Sequence, residues 1–283
     1  MRLPLIFAAP ILSAMLGSTL AQAAPNSFAE KDQAGHLLAY MTQGEDLPVP
    51  REQSIFGIPD TPILYSVLRD GDGPVRMRFE SEGQPAHEIS LPLGVHADDT
   101  ISAWPMFIRI AEADAGESSS YLLGVMQRRQ QGYSGGGANE HRVHLFRVDY
   151  PRNSDTRARP VLSLPLAADK LIRACFSEND EARRGNACHD SYKFEALLHL
   201  DTGQNSDWPV LLYHSQARVA PGVLAGLLAS QRQLPDRALT AAEVEERTDP
   251  HCSLQRSIRY NSFSLRYEME TPAPDCSDFF VPN

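Results

Sequence analysis

The sequence predicts an all-β protein of antiparallel strands arranged as an irregular β-propeller, with a large β-sandwich as the alternative and one or two short helices. Apolar and polar residues alternate in several distant segments, including residues 192–200, as in strands buried on one face. Long helical patterns are scarce, which excludes doubly wound and TIM-barrel folds because their parallel strands need crossover helices. Strand–turn–strand units also recur from 121 to 166 and from 192 to 216, as in propeller blades.

Ten strands are predicted, and turn-forming Asp, Gly, Ser and Pro residues separate them. In chain order they cover residues 63–68, 75–80, 89–93, 106–110, 121–127, 142–150, 161–166, 192–201, 210–216 and 263–270.

Helical signals are few. Thr240-Ala-Ala-Glu243 has the form of a capping box and predicts a helix of about two turns that ends before Pro250. Residues 223–231 fit either a helix or a buried strand, and their periodicity does not decide between the two.

The first 23 residues have the pattern of a secretory signal peptide. Arg2 supplies a positive charge, residues 3–16 are apolar but interrupted by two prolines, and Ala21-Gln22-Ala23 fits the small-residue cleavage rule. The apolar stretch is shorter than the roughly 20 residues of a membrane span. We therefore expect cleavage after Ala23 and a periplasmic or secreted protein with no membrane span. The expected organisation is a signal peptide at 1–23, an N-terminal arm at 24–60 and a single β-rich domain at 61–283.

The composition of the 283-residue chain narrows the classes of partner. Asp and Glu number 36 and Lys and Arg 26, so the formal net charge is −10. Long-range repulsion by such a surface disfavours nucleic acid and anionic lipid, and it favours a basic protein partner.

The four cysteines lie in the second half of the chain. An even number of cysteines in an exported chain predicts two disulfides. We expect Cys175–Cys188 and Cys252–Cys276, because each pair encloses a short segment rich in turn-forming residues. Zinc is the alternative, since a histidine adjoins one cysteine of each pair. No C-x-x-C pair supports it, so we expect neither a metal nor a cofactor.

The most distinctive segment is Gly132-Tyr-Ser-Gly-Gly-Gly-Ala-Asn139, which lies between two predicted strands. It contains the G-x-S-x-G pattern of serine hydrolases, with Ser134 as the nucleophile, His141 or His144 as the base and Asp190 as the orienting acid. The hydrolase motif needs a helix after the turn, whereas residues 140–146 have the pattern of a strand. A hydrolase is therefore the alternative interpretation.

We favour a binding loop. Consecutive glycines let a partner approach the backbone closely, and a tyrosine offers aromatic area with a polar tip. A loop whose glycines serve only to permit positive φ is the structural alternative. The predicted binding residues are Tyr133, Ser134, Gly135, Gly136, Gly137 and Asn139.

Two resemblances bear on function. Residues 133–138 resemble the Ser-Gly loop that some periplasmic lysozyme inhibitors insert into the cleft of the enzyme. In those loops a tyrosine follows the serine, whereas here Tyr133 precedes it and Gly137 occupies the later position. Residues 133–138 and 187–194 are also similar to segments of exported proteobacterial proteins with no assigned activity. The first resemblance implies a protein-binding loop, and the second implies export and a shared scaffold.

Together these observations predict an exported, non-enzymatic protein-binding module. An inhibitor or immunity factor against a basic cell-wall hydrolase of the envelope fits the acidic surface and the loop. The alternative is a secreted serine hydrolase that acts through Ser134.

Overall fold

The computed structural model describes residues 28–43, 55–111, 119–150, 157–227 and 234–282. These residues are mostly β-structure with two short α-helices, as predicted, and every strand pair is antiparallel. The strands are β1 (Ala29–Lys31), β2 (Leu37–Tyr40), β3 (Thr42–Gln43), β4 (Ile55–Gly57), β5 (Ile63–Leu68), β6 (Arg76–Ser81), β7 (Gln84–Ser90), β8 (Thr100–Ala111), β9 (Ser119–Tyr133), β10 (Gly136–Tyr150), β11 (Arg157–Arg173), β12 (His189–Leu200), β13 (Leu211–Ala220), β14 (Arg247–Thr248), β15 (Gln255–Asn261) and β16 (Arg266–Met269). The helices are α1 (Glu178–Arg183) and α2 (Ala241–Val244).

The strands form two sheets. The larger sheet runs in the order β1-β2-β8-β9-β10-β11-β12-β13-β15-β16, and β14 pairs with β13. The smaller sheet runs β3-β4-β5-β6-β7. A propeller is not confirmed, because the described strands build two continuous sheets and not a set of four-stranded blades.

The long hairpin of β9 and β10 is the centre of the larger sheet. Its strands pair without a break from Tyr133–Gly136 at the tip to Ser119–Tyr150 at the base. Both of its faces are apolar near the base, where Leu122 and Leu145 enter one core and Leu123 and Phe146 enter another. Because both faces are buried there, neighbouring residues are apolar and the simple alternation of a half-buried strand is lost.

The two cores divide the molecule into layers. One core joins Tyr65 and Phe79 of the smaller sheet to Phe107, Leu123 and Phe146 of the larger one. This stacking of two sheets resembles the sandwich alternative. The second core belongs to the larger sheet and its C-terminal segment, and it includes Phe194, Leu211, Ile258 and Phe279.

The expected N-terminal arm is not separate from the sheets. Its described residues include β1 and β2 of the larger sheet and β3 and β4 of the smaller one. Leu38, Phe56 and Ile58 are each at most 8% exposed, so their burial draws the segment into both cores. A carboxylate oxygen of Glu30 also accepts a 2.6 Å hydrogen bond from the Leu200 amide, which attaches β1 to the end of β12.

The predicted cysteine pairs are confirmed, since Cys175 lies at disulfide distance from Cys188 and Cys252 from Cys276. No free thiol remains among the described residues for the zinc alternative. The capping box at Thr240 and Glu243 is also present and opens α2, which is one turn long. Helix α1 lies inside the first disulfide loop and was not predicted.

None of the helices in the described part of the chain is long and apolar enough to cross a membrane.

The predicted strand at 263–270 begins later than its alternation indicates. Residues 262–265 form the turn between β15 and β16, and the second strand starts at Arg266. Phe263 is 98% exposed, whereas the alternation placed it on a buried face.

A hydrogen bond between the two sheets gives a direct test of this layering. The Tyr65 side chain is fully buried, and its hydroxyl donates to the Gly124 carbonyl oxygen at 2.8 Å. Tyr65→Phe should lower the free energy of unfolding by about 1–2 kcal/mol, because the buried carbonyl loses its donor. The matched change Tyr40→Phe, on a side chain 49% exposed, should cost less than about 0.5 kcal/mol. Equal effects in urea unfolding would contradict the buried contact.

Candidate functional site

The glycine-rich segment predicted as a loop is a tight hairpin tip. Tyr133 pairs with Gly136, so only Ser134 and Gly135 lie outside the strands. Gly135 has a φ of +84°, in the left-handed region that favours glycine in such turns. The remaining residues of the segment continue the β9–β10 ladder as far as Asn139 and beyond. The long-loop interpretation was wrong because pairing with β9 and β11 overrides the low strand propensity of glycine.

Gly136 is required by packing at the tip. A Cβ atom at this position would lie 2.0 Å from the Leu171 carbonyl oxygen and 2.8 Å from the Tyr133 ring. The Tyr133 hydroxyl lies 3.0 Å from the Leu171 carbonyl oxygen and 3.2 Å from that of Gly137. The ring therefore covers the glycine strand, as aromatic residues do when they protect glycines in sheets. Partial burial raises the pKa of Tyr133. These contacts hold the tyrosine against its own hairpin.

The hydrolase residues are not brought together. Ser134 is exposed at the turn, whereas His141 lies five residues along β10 from Gly136, a separation of about 16 Å at the usual rise of a strand. His144 lies farther along the same strand. Asp190 forms an ion pair with Arg184 near the start of β12. Ser134 therefore has neither predicted histidine within reach as a base.

The two histidines belong to other polar groups. His141 Nε2 lies 3.4 Å from the Asn139 amide nitrogen, and Arg128 donates to Asn139 Oδ1 at 3.1 Å. Burial lowers the pKa of His141, the positive charge of Arg128 lowers it further, and Asp169 opposes this. The neighbourhood is a surface cluster on one face of three adjacent strands.

His144 is partly buried and belongs to a polar network with the buried side chains of Gln127 and Asp99. Its Nε2 lies 2.8 Å from Gln127 Oε1, and Gln127 donates in turn to Asp99 Oδ2 at 2.6 Å. Burial lowers the pKa of His144 to about 4, and the charge of Arg142 acts in the same direction. A neutral imidazole that donates to a buried amide fits a structural role.

Beside the tip, the face of the sheet has a shallow groove. Register places Gly132, Gly137 and Leu171 opposite one another on adjacent strands. The missing side chains of the two glycines leave a depression of about 470 Å³. Gln130, Asn139, Asp169 and Ser191 contribute to its polar lining. Of the predicted binding residues, Gly137 and Asn139 lie at this groove.

Sequence reasoning missed the residues that contact the tip from the next strand. A Cβ on Gly135 would lie 2.6 Å from Cβ of Arg173, the last residue of β11. Arg173 donates from Nε to the Cys175 carbonyl oxygen at 2.9 Å, and its guanidinium carbon lies 5.4 Å from the centre of the Phe176 ring. Phe176 is 76% exposed and Leu171 43%. We call Ser134, Leu171, Arg173 and Phe176 the tip surface.

The disulfide loop fixes Phe176 in position. The Cys175–Cys188 bond closes the loop, and α1 within it has Ser177 as its N-cap, accepting from the Asp180 amide at 3.2 Å. The Phe176 amide donates to Asp180 Oδ2 at 3.0 Å, and this hydrogen bond is the main reason that the pKa of Asp180 is lowered. A phenylalanine directly after a cysteine predicted to form a disulfide is the sequence feature that could have indicated this surface.

No protein-family model, no curated protein and no solved structure matches the chain.

Two glycines of the tip provide a matched pair of variants. Gly136→Ala should lower the free energy of unfolding by about 1–3 kcal/mol, because its methyl group would overlap the Leu171 carbonyl. Gly132→Ala should change it by less than about 0.5 kcal/mol, since no atom lies within 4 Å of a Cβ built there. Urea unfolding measures both. Equal tolerance of the two changes would favour a flexible loop over the packed tip.

The partly buried His144 predicts a dependence of stability on pH. His144 has a pKa of about 4 in the folded protein, against about 6.5 in an unfolded chain. The unfolded chain therefore binds the extra proton first, so the free energy of unfolding should fall as the pH drops from 6.5 to 4. His144→Gln should make this decline shallower when urea unfolding is repeated at several pH values. An identical decline in the variant would contradict the assignment.

Proposed function

We propose that this chain is an exported, non-enzymatic protein-binding module, and that its tip surface contacts the partner. The observation that carries the proposal is the exposed Phe176 ring with the Arg173 guanidinium beside it, while the side-chain carbons of Arg173 lie against Gly135 of the hairpin. Arginine and aromatic side chains commonly dominate the energy of protein interfaces. An exposed pair of this kind serves no core of its own, which favours a role in contact with another molecule.

The backbone that carries this pair is already restrained before a partner binds, which favours binding. The segment that contains Arg173 and Phe176 is restrained by three features: a disulfide, a helix cap and the last paired residues of the neighbouring hairpin. A surface arranged before contact loses less conformational entropy when it binds. Tyr133 and Gly136 support the surface by packing under it, and the exposed apolar area comes from Leu171 and Phe176.

The negative charge of the chain favours a basic partner. The chain has a formal net charge of −10, and α1 carries Glu178, Asp180 and Glu181 in its first turn, beside Phe176. A basic protein would be attracted to this surface over a long range. A basic cell-wall hydrolase fits this charge, the expected export and the resemblance to lysozyme-inhibitor loops. The two disulfides are compatible with an oxidising compartment.

Binding is favoured over the hydrolase alternative by the position of Ser134. The strand geometry keeps His141 about 16 Å away, and the tip serine is exposed to solvent. A fluorophosphonate probe should therefore leave Ser134 unmodified. Labelling of Ser134 would favour the hydrolase over the binding module.

The proposal predicts which side chains carry the affinity. We expect Phe176→Ala and Arg173→Ala each to weaken binding by about 1–3 kcal/mol, because each removes part of the exposed pair. The control Leu197→Ala removes an apolar side chain that is 61% exposed on β12 and should leave affinity unchanged. Affinity is measured by calorimetry against a basic peptidoglycan hydrolase that the wild-type chain inhibits, or against a partner recovered from envelope extract.

Melting temperature provides the structural control. Phe176→Ala is expected to keep the wild-type melting temperature, since its ring lies in solvent. Full affinity in both Phe176→Ala and Arg173→Ala would contradict the tip surface as the binding site. Equal losses in all three variants, including Leu197→Ala, would also contradict it.

A further inference from the structure

A second surface lies at the tip of the β15–β16 hairpin. Asn261 pairs with Arg266, which leaves a turn of four residues between the strands. Within this turn Phe263 is 98% exposed and Leu265 is 49% exposed. Two large apolar side chains thus stand in solvent on one short turn, where polar residues and glycine are usual.

The backbone at Leu265 is unfavourable for the residue that occupies it. Its φ is +58°, in the left-handed region that is costly for a residue with a Cβ and that glycine adopts freely. Leu265 is also 49% exposed, so about half of its side chain stays in solvent at this costly backbone position. Residues held in this way are often found where a protein contacts a ligand or partner.

The turn is nevertheless ordered by side-chain hydrogen bonds. Asn261 Oδ1 accepts from the amides of Phe263 at 2.9 Å and Ser264 at 3.4 Å. Glu268 accepts from Asn261 Nδ2 at 2.8 Å and from Ser264 Oγ at 2.6 Å. These contacts fix the direction in which Phe263 leaves the hairpin, so the exposed ring is presented by a restrained turn.

The charged side chains near the turn indicate the charge of the partner surface that could contact it. Both oxygens of Glu268 are occupied by the turn, and Glu270 pairs with Arg259. The backbone of Arg266 pairs with Asn261, whereas its exposed side chain forms no ion pair or hydrogen bond with the part of the chain that the structure describes. An exposed, positively charged side chain therefore follows directly after Leu265 in the chain.

We propose that this turn docks into a partner protein, with Phe263 and Leu265 entering an apolar pocket and Arg266 pairing with a carboxylate on its rim. A convex apolar tip fits a concave apolar partner, and the exposed Arg266 guanidinium favours a carboxylate beside that pocket. The formal net charge of −10 disfavours an anionic membrane as the alternative surface.

This site is independent of the tip surface. Strand β11 ends at Arg173, opposite the start of β12 at His189, and the first hairpin tip lies at this end. Strand β12 ends at Leu200, opposite Leu211, and Leu211 pairs with Ile258, from which β15 continues to Asn261. The Phe263 turn therefore lies at the opposite end of the larger sheet.

The test uses photocrosslinking in the full chain. A photoreactive amino acid replaces the exposed Ser262 in cells that produce the protein, alone and combined with Phe263→Ala, Leu265→Gly or Arg266→Glu. We expect one heterologous protein adduct that purified wild-type chain competes away. Each of the three changes should lower its yield roughly 10-fold, as loss of a central contact does. Leu265→Gly should keep or raise the melting temperature while lowering the yield, because glycine relieves the left-handed backbone.

The control Phe176→Ala alters the other end of the sheet and should leave the adduct unchanged, which separates this proposal from the function proposed above. Absence of an adduct, or an adduct insensitive to Phe263→Ala and Arg266→Glu, would overturn the proposal. An adduct between two copies of the chain would also overturn it. Binding of the purified chain to phosphatidylcholine–phosphatidylglycerol vesicles would likewise overturn it if that binding is lost in Phe263→Ala.

Discussion

The close approach of two backbones at Gly136 is the constraint on which the arrangement of the tip depends. The Leu171 carbonyl oxygen stands 2.0 Å from the place where a Cβ of residue 136 would be, so only glycine fits there. Because β11 can pass so near, it continues to Arg173, whose side chain lies against Gly135 and contacts the Cys175 carbonyl oxygen and the Phe176 ring. A larger residue at position 136 would separate the two strands and with them the parts of the tip surface.

The same hairpin also joins the two cores. Leu122 and Leu145 face one core, Leu123 and Phe146 face the other, and the strands that carry them reach the tip without interruption. A rigid base of this kind transmits little motion to the turn, because packed interiors have few voids and resist deformation. The exposed residues at the tip are therefore carried by strands whose base is buried in both cores, which suits a surface arranged before contact.

Local features of the fold were predictable from the sequence, and long-range ones were not. The strand at 63–68, both disulfides and the capping box at Thr240 follow from nearby residues, and the structure agrees with them. The low strand propensity of glycine predicts a loop at Gly132–Asn139, whereas pairing with β11, some thirty residues later in the chain, decides its conformation. The contact of Arg173 with Gly135 depends on the same register and leaves no local signal. Alternation likewise placed Phe263 in a strand, since no pattern reveals the left-handed backbone at Leu265.

The central claim is that residues 132–139 form a packed, paired tip that supports the residues beside it. Amide hydrogen exchange of the whole protein, followed by NMR, tests it most directly. The claim predicts slow exchange for the paired amides of Gly137 and Asn139 and of Leu171 in β11, with rapid exchange confined to the turn at Ser134 and Gly135. Rapid exchange across the whole of 132–139 would contradict it, because the segment would then be a mobile loop.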